Sequence, residues 1–293
     1  MASNKQIVFT SRKIPNSAFT MRGEQIINEL CLMGYDAKIV PPDKITEIKE
    51  SIIIWVRRST ANELKICSQN NYQILDPLDR INDLNSPSAF TFFGCHKYFN
   101  AIIFPSKSQL NYYNNDKRYD GIKKYWVHHH YDPYLKYYEH DHFEIGYWGY
   151  STSAVNIRII KGKNRYNTAR AGQYPPDDFF QRVSCHYNVR DYKHGLGWRP
   201  TTKISTAAAC GANIITSRDA MSVELLPHNY PYFLDNCDHE NIERMIQYAS
   251  QTYGNEIWNY GLSCMARVRK FTSVNYCAKM YGKIINDIIE NHF

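Results

Sequence analysis

Short apolar runs alternate with amphipathic stretches of helical period along this chain, and the alternation restarts once near its middle. Gln6 to Thr10 reads as a buried strand, followed by a polar loop from Ser11 to Phe19. Thr20 then caps a helix in which Ile26, Ile27, Leu30 and Cys31 recur at helical spacing, and Gly34 stops it. Asp36 to Val40 is a second strand. Ser51 to Val56 is a third, unbroken in its apolar character as a parallel strand covered on both faces would be. A helix from Ser59 to Ser68, a strand from Tyr72 to Leu75 running into Asp-Pro-Leu-Asp, a strand from Asn100 to Phe104, a helix from Ser106 and a strand from Lys124 to Val127 complete the first half.

The second half repeats the pattern. Phe143 to Trp148 predicts a strand closing in Gly149, Asn156 to Ile160 reads as either strand or helix, and Val183 to Val189 is a strand. Thr202 to Cys210 is a helix stopped by Gly211, and Ala212 to Thr216 is a strand. A short helix over Met221 to Leu226 and a strand over Tyr232 to Leu234 follow. Asp238 caps a helix to about Tyr253, and two further helices, Glu256 to Phe271 and Ser273 to Asn291, come last. Strands alternating with helices imply an α/β fold of open parallel sheets, here two Rossmann-like domains. The boundaries fall at 1–130, a polar, tyrosine-rich linker at 131–142, and 143–293.

A length of 293 residues with 43% hydrophobic content suits two domains, each with its own core. Ser51 to Val56 is strand-sized, far short of a bilayer span, and Met-Ala-Ser-Asn-Lys-Gln is no signal leader, so a cytoplasmic protein is expected. The eight cysteines include no Cys-x-x-Cys pair and read as buried free thiols. A net charge of +7 favours an anionic partner and leaves room for transient contact with a membrane surface. Its spread, with Arg57-Arg58 the densest basic run, argues against nucleic acid.

Candidate chemistry concentrates between Arg199 and Glu224. Thr202, Lys203, Ser205 and Thr206 surround a helix start, where unpaired N–H groups and roughly half a positive charge attract phosphate. Lys203 adds a full charge, and Ala207 to Ala209 permit close approach. The following strand delivers Ser217, Asp219 and Glu224 to the carboxyl edge of the sheet, where open α/β sheets bind ligands. A plain α/β unit with a capped helix and an exposed acid is the alternative.

The run Lys203-Ile-Ser-Thr-Ala-Ala-Ala-Cys-Gly-Ala-Asn-Ile-Ile-Thr-Ser, followed by Glu224-Leu225, resembles the donor-binding segment of GT-B glycosyltransferases. Tyr232-Phe-Leu and the helix after Asp238 continue the likeness, which covers about 143–290 and extends more loosely upstream. The resemblance implies two domains facing a cleft and a nucleotide-sugar donor. It implies a glycan, lipid-linked or other hydroxyl acceptor, no cofactor and no metal. Lys203 and the helix start from Thr202 through Ser205 to Thr206 would hold the diphosphate, and Glu224 the ribose. Tyr187 to Arg190 would face the base, and Gly146 to Gly149 would line the cleft near the phosphates. Many retaining members carry glutamates where this chain has Trp198 and Thr206, so no stereochemical outcome follows. A non-catalytic nucleotide- or sugar-binding protein, or a nucleotide-sugar epimerase, would share the architecture.

In the first half, Arg22-Gly23 opens the helix after the first strand. There Arg22 either touches an acceptor or phosphate or is a solvated first-turn arginine. Asp76 and Asp79 end the fourth strand, and Asp79 is the candidate catalytic base, unless the pair only caps a proline turn. His128, His129, His130, His140 and His142 crowd one stretch with Asp132 and Asp141 but lack a metal-site spacing. His130, beside the expected hinge, is a second candidate base.

Overall fold

The computed structural model of the protein describes residues 5–12, 14, 17–57, 59, 61–78, 96–149, 154–167, 175–190 and 202–293. The chain divides into two compact units, Met1–His130 with Val274–Phe293, and Tyr131–Ser273.

The strands of the first unit are β1 (Ile7–Thr10), β2 (Ala37–Ile39), β3 (Ile52–Val56), β4 (Tyr72–Asp76), β5 (Ala101–Phe104) and β6 (Lys123–Trp126). They form one parallel sheet in the order β2-β1-β3-β4-β5-β6. Both faces are covered, which is why β3 is apolar at every position. Ile52, Ile54 and Val56 enter one core, and Ile53 and Trp55 the other. One core is closed by α1 (Ser17–Phe19), a π-helical segment Thr20–Gln25 and α2 (Ile26–Leu32). The other takes Leu64 and Cys67 from α3 (Ala61–Cys67) and Tyr113 from α4 (Lys107–Asn114), whose cap is Ser106.

Two expectations change here. The first helix begins at Ser17 rather than Thr20, because residues 20–25 adopt a wider π turn instead of starting a new helix. In that turn Gly23 lies against Phe19, whose ring atoms would sit 2.9 Å from a Cβ, and Arg22 and Gln25 face the interior. The last helix of the chain, α10 (Val274–His292), belongs to the first unit and not to a domain running from 143 to 293. Its Cys277, Ala278, Tyr281, Ile284, Ile285 and Ile288 share a core with Ile7, Phe9, Ile26 and Leu30.

The second unit carries β7 (Ile145–Gly149), β8 (Arg165–Asn167), β9 (Cys185–Asn188), β10 (Asn213–Ser217) and β11 (Phe233–Leu234). These also run parallel, in the order β11-β10-β9-β7-β8. Its helices are α5 (Asp177–Arg182), α6 (Thr202–Ala209), α7 (Ser222–Leu225), α8 (His239–Gln251) and α9 (Glu256–Phe271). The segment expected as a linker is bound to this unit. The Tyr138 amide donates to the Cys210 carbonyl at 3.2 Å, and the Tyr253 hydroxyl donates to the His140 carbonyl at 2.7 Å.

Of the cysteines among the described residues all are free thiols, with Cys31 exposed, Cys237 half-buried and the rest buried; Cys95 lies outside the described residues. No helix among the described residues is long and apolar enough to cross a membrane.

Candidate functional site

The chain lays down β7, crosses to β8 on one side, then returns to place β9 on the other side of β7. Strand order therefore reverses between β7 and β9, and the carboxyl ends of these two strands border the crevice in which open α/β sheets take ligands. Helix α6 leads from β9 to β10, and its second residue, Lys203, reaches back to the end of β7. Its ammonium lies 4.9 Å from the Tyr147 ring centre and 5.4 Å from that of Trp148. Both rings favour a cation over their faces.

Gly149 explains how the ammonium comes so close. Its φ of +129° is a conformation few other residues adopt, and a Cβ there would stand 2.9 Å from Lys203 Nζ. The strand's end is thus shaped around the lysine. Thr202 and Lys203 are half-buried, whereas Ser205 and Thr206 are wholly buried. The ligand-accessible part of this helix start is therefore Thr202 and Lys203, and the two hydroxyls farther along serve the interior.

Neighbouring strand ends are tied together. The Arg190 amide donates to Ser217 Oγ at 2.7 Å, and that hydroxyl donates back to the Arg190 carbonyl at 3.1 Å. The Arg190 guanidinium, half-buried, donates through Nε to Asn188 Oδ1 at 3.1 Å. Burial pushes the Tyr147 hydroxyl up to about 12, with the nearby positive Arg190 acting in the opposite direction. Lys203 and Arg190 thus bring positive charge to the crevice border. Asp219, in the turn before α7, accepts from the Ser222 amide at 2.6 Å, so its carboxylate serves the backbone. Glu224 is half-buried on α7.

Tyr187 does not face a ligand. It is fully buried in the second unit's core and donates to the Val155 carbonyl at 2.6 Å; burial raises its hydroxyl well above the ordinary range. It is the third of four residues of β9, all buried, and strand alternation turns it into the core.

In the first unit, Arg22 is neither solvated nor open to an acceptor. Fully buried, it directs five N–H bonds to protein acceptors: two to Asp76, two to the Val127 carbonyl and one to the His128 carbonyl. The closest ion-pair contact, Nε to Asp76 Oδ2, is 3.0 Å, and Tyr281 also donates to this carboxylate. Burial would weaken the charged form of Arg22, but Asp76 outweighs it and holds the guanidinium firmly protonated. Gly23 is likewise structural, a space filled by the Phe19 ring.

His130 is fully buried, with Nε2 2.8 Å from Gln25 Oε1. Burial, then His129 and Arg22, hold it well below the ordinary histidine range, and His129 is lowered to about 3 by burial and Arg22. Both rings are therefore neutral fittings of the interior, and His130 is not an accessible base. Asp79, the other candidate base, lies outside the described residues, as do Trp198 and Arg199. The remaining crowded histidines have separate partners: His140 lies near the Gln181 and Cys210 carbonyls, His142 near Asp141 and Glu144. Among the described residues no group of three or more His, Cys, Asp or Glu side chains is placed to hold a metal ion.

Gly146 to Gly149 is expected at the cleft, but the seat that Tyr147 and Trp148 make for Lys203 is not. Its only sequence signal is the Tyr147-Trp148-Gly149 triplet at a strand end, which separates from ordinary core aromatics once the lysine is seen above it.

No family model matches the chain, and no curated protein matches it. Solved structures do. A glycosyltransferase from Rickettsia africae superimposes with a TM-score of 0.65 at 11% identity, covering 99% of this chain and 100% of that one. HepE from Anabaena, solved with UDP-glucose, gives 0.66 at 8% identity over 96% and 99%. A sucrose-phosphate synthase from Thermosynechococcus elongatus gives 0.63 at 10% identity over 98% and 100%. The chain has the GT-B fold, two Rossmann-like units with parallel sheets.

Proposed function

We propose that this protein is a glycosyltransferase that moves a sugar from a nucleotide-sugar donor, held by the second unit, to a hydroxyl of a glycan or lipid-linked acceptor. One observation carries the reading: an ammonium group, Lys203, is held by α6 at the end of β7, on the border of the crevice where the strand order reverses. A pyrophosphate placed there meets a full positive charge and the positive end of the α6 helix dipole. As the glycosidic bond to the donor breaks, negative charge grows on the departing diphosphate. Lys203 stabilises that charge more in the transition state than in the bound donor, which is how a fixed cation accelerates the step. A lysine and a helix terminus supply the role a divalent cation plays elsewhere, so we propose metal-independent transfer.

Glu224 on α7 is the group we assign to the ribose, whose adjacent hydroxyls are two donors for one carboxylate. Arg190, at the end of β9, is assigned to the nucleotide as well. With His130 sealed in the interior, Asp79 is the base we propose for the acceptor hydroxyl. A uridine diphosphate sugar is the first donor to test, since HepE binds UDP-glucose on the same fold.

The test is calorimetric titration of UDP, GDP and their sugars into the wild type, Lys203→Ala and Glu224→Ala, followed by donor turnover with and without EDTA. Weakening of about tenfold or more in Lys203→Ala is expected for the loss of a charge-assisted contact. Unchanged nucleotide affinity in both variants would refute the site, and turnover abolished by EDTA would refute metal independence.

A further inference from the structure

The crossover from β7 to β8 opens a second feature in the same unit. Its described part holds two single 3-10 turns, Ile157–Ile159 and Gly162–Asn164. It is anchored to β9 by the Val155 amide, which donates to the Val189 carbonyl at 3.0 Å, and by the Tyr187 hydroxyl on the Val155 carbonyl. Between this segment and the first turns of α8 lies a groove of about 720 Å³, within the 300–1,000 Å³ typical of small-molecule sites.

Its lining combines an apolar floor with charge. Ile157 and Ile159 form the floor, Arg158 and Lys161 add two cations, and His239 and Glu243 of α8 line it from the other side. Arg158 lies in the first of these turns and Lys161 just beyond it in extended backbone, and both line the groove. Neither cation lies within 4 Å of an Asp or Glu oxygen among the described residues. Among the described residues lining the groove, the carboxylate is Glu243, 3.3 Å from His239 Nε2. Arg158 and Lys161 thus place two positive charges on one groove, and a bound dianion would meet both.

We propose that this groove is a binding site for a phosphate monoester, separate from the crevice at Lys203. Arg158 offers a planar fork that matches phosphate oxygens, Lys161 adds a point charge, and the isoleucine floor suits the carbon skeleton that bears the phosphate. A small sugar phosphate and a phosphorylated lipid headgroup present the same chemistry. The inference is independent of the transferase reading.

The experiment titrates glucose 6-phosphate into the full chain carrying Lys203→Ala, so that the crevice does not compete. The same titration follows in Lys203→Ala/Arg158→Gln/Lys161→Gln. A parallel arm measures co-sedimentation with phosphatidylcholine vesicles with and without phosphatidic acid. Arg158 and Lys161 are exposed, so the substitutions leave the core intact, which far-UV circular dichroism checks. Saturable binding of glucose 6-phosphate that weakens about tenfold or more in the triple variant is expected. Binding to phosphatidic acid vesicles alone, lost in the triple variant, assigns the site to a lipid headgroup. The proposal is overturned if neither probe binds, or if binding survives Arg158→Gln/Lys161→Gln. It is also overturned if binding by the wild type disappears with Lys203→Ala alone.

Discussion

Asp76→Asn strips the negative charge from a cluster in which Arg22, Asp76 and Tyr281 are all sealed from water. Arg22 and Asp76 are both 0% exposed, and the guanidinium has five N–H bonds to protein acceptors. Asparagine keeps the shape but leaves a buried cation uncompensated and turns a two-oxygen acceptor toward Arg22 and Tyr281 into a mixed donor and acceptor. Breaking a buried pair from one side costs about 3–5 kcal/mol, a shift of more than a hundredfold in the unfolding equilibrium. Because two units unfold, a single global midpoint would blur the effect. Amide hydrogen exchange in β1, β3 and β4 reads the first unit alone, and protection there should fall while β9 and β10 are unchanged. The paired replacement Arg22→Met/Asp76→Leu should lose less than the sum of its single variants, because it removes both charges together. A loss below about 1 kcal/mol in Asp76→Asn would refute the interior role. So would an Arg22→Met variant that keeps full protection yet no longer binds acceptor.

Gly149→Ala forces a side chain into a φ of +129° and against the Lys203 ammonium; nucleotide affinity should fall as in Lys203→Ala, with a stability loss of about 1–3 kcal/mol by urea titration. Gly211→Ala is the harsher change, since its Cβ would stand 2.4 Å from the Tyr138 backbone oxygen at φ +77°; a drop of more than about 2 kcal/mol in the second unit's stability is expected, and a neutral result would show that the 131–142 segment does not pack there. His129 and His186, each lowered to about 3 chiefly by burial, stay neutral when folded and gain protons when unfolded. Stability should therefore be full above their unfolded value near 6.5 and decline as pH falls from there toward 3, by up to about 1.4 kcal/mol per pH unit for each. A flat stability curve between pH 6.5 and 4 would contradict this. Deleting 274–293 should expose the first unit's core and abolish its protection against exchange while the second unit still protects β9 and β10.

Local order was legible in the residues themselves. Ser51 to Val56 announces a strand covered on both sides because only a buried parallel strand tolerates five apolar residues in a row. Asp238 caps α8 and Gly211 ends α6 by rules that act over a few residues. The same holds for the region of the candidate site: Lys203 at a helix start and Gly149 at a strand end are both visible as local chemistry. Long-range placement was not. Arg22 reads as either a ligand contact or a solvated first-turn arginine until β4 supplies Asp76 and α10 supplies Tyr281, 54 and more than 200 residues away. His130 reads as a hinge base until Gln25 and the core enclose it, and Tyr187 as facing the base until the Val155 carbonyl takes its hydroxyl. The amphipathic stripe of α10 dictates that it must bury Tyr281 and Ile285, but not against which sheet. Periodicity and capping are set by neighbours in the chain. Which buried charge finds its partner, and which lysine reaches which glycine, depends on contacts between elements remote in sequence, and only the folded arrangement specifies those.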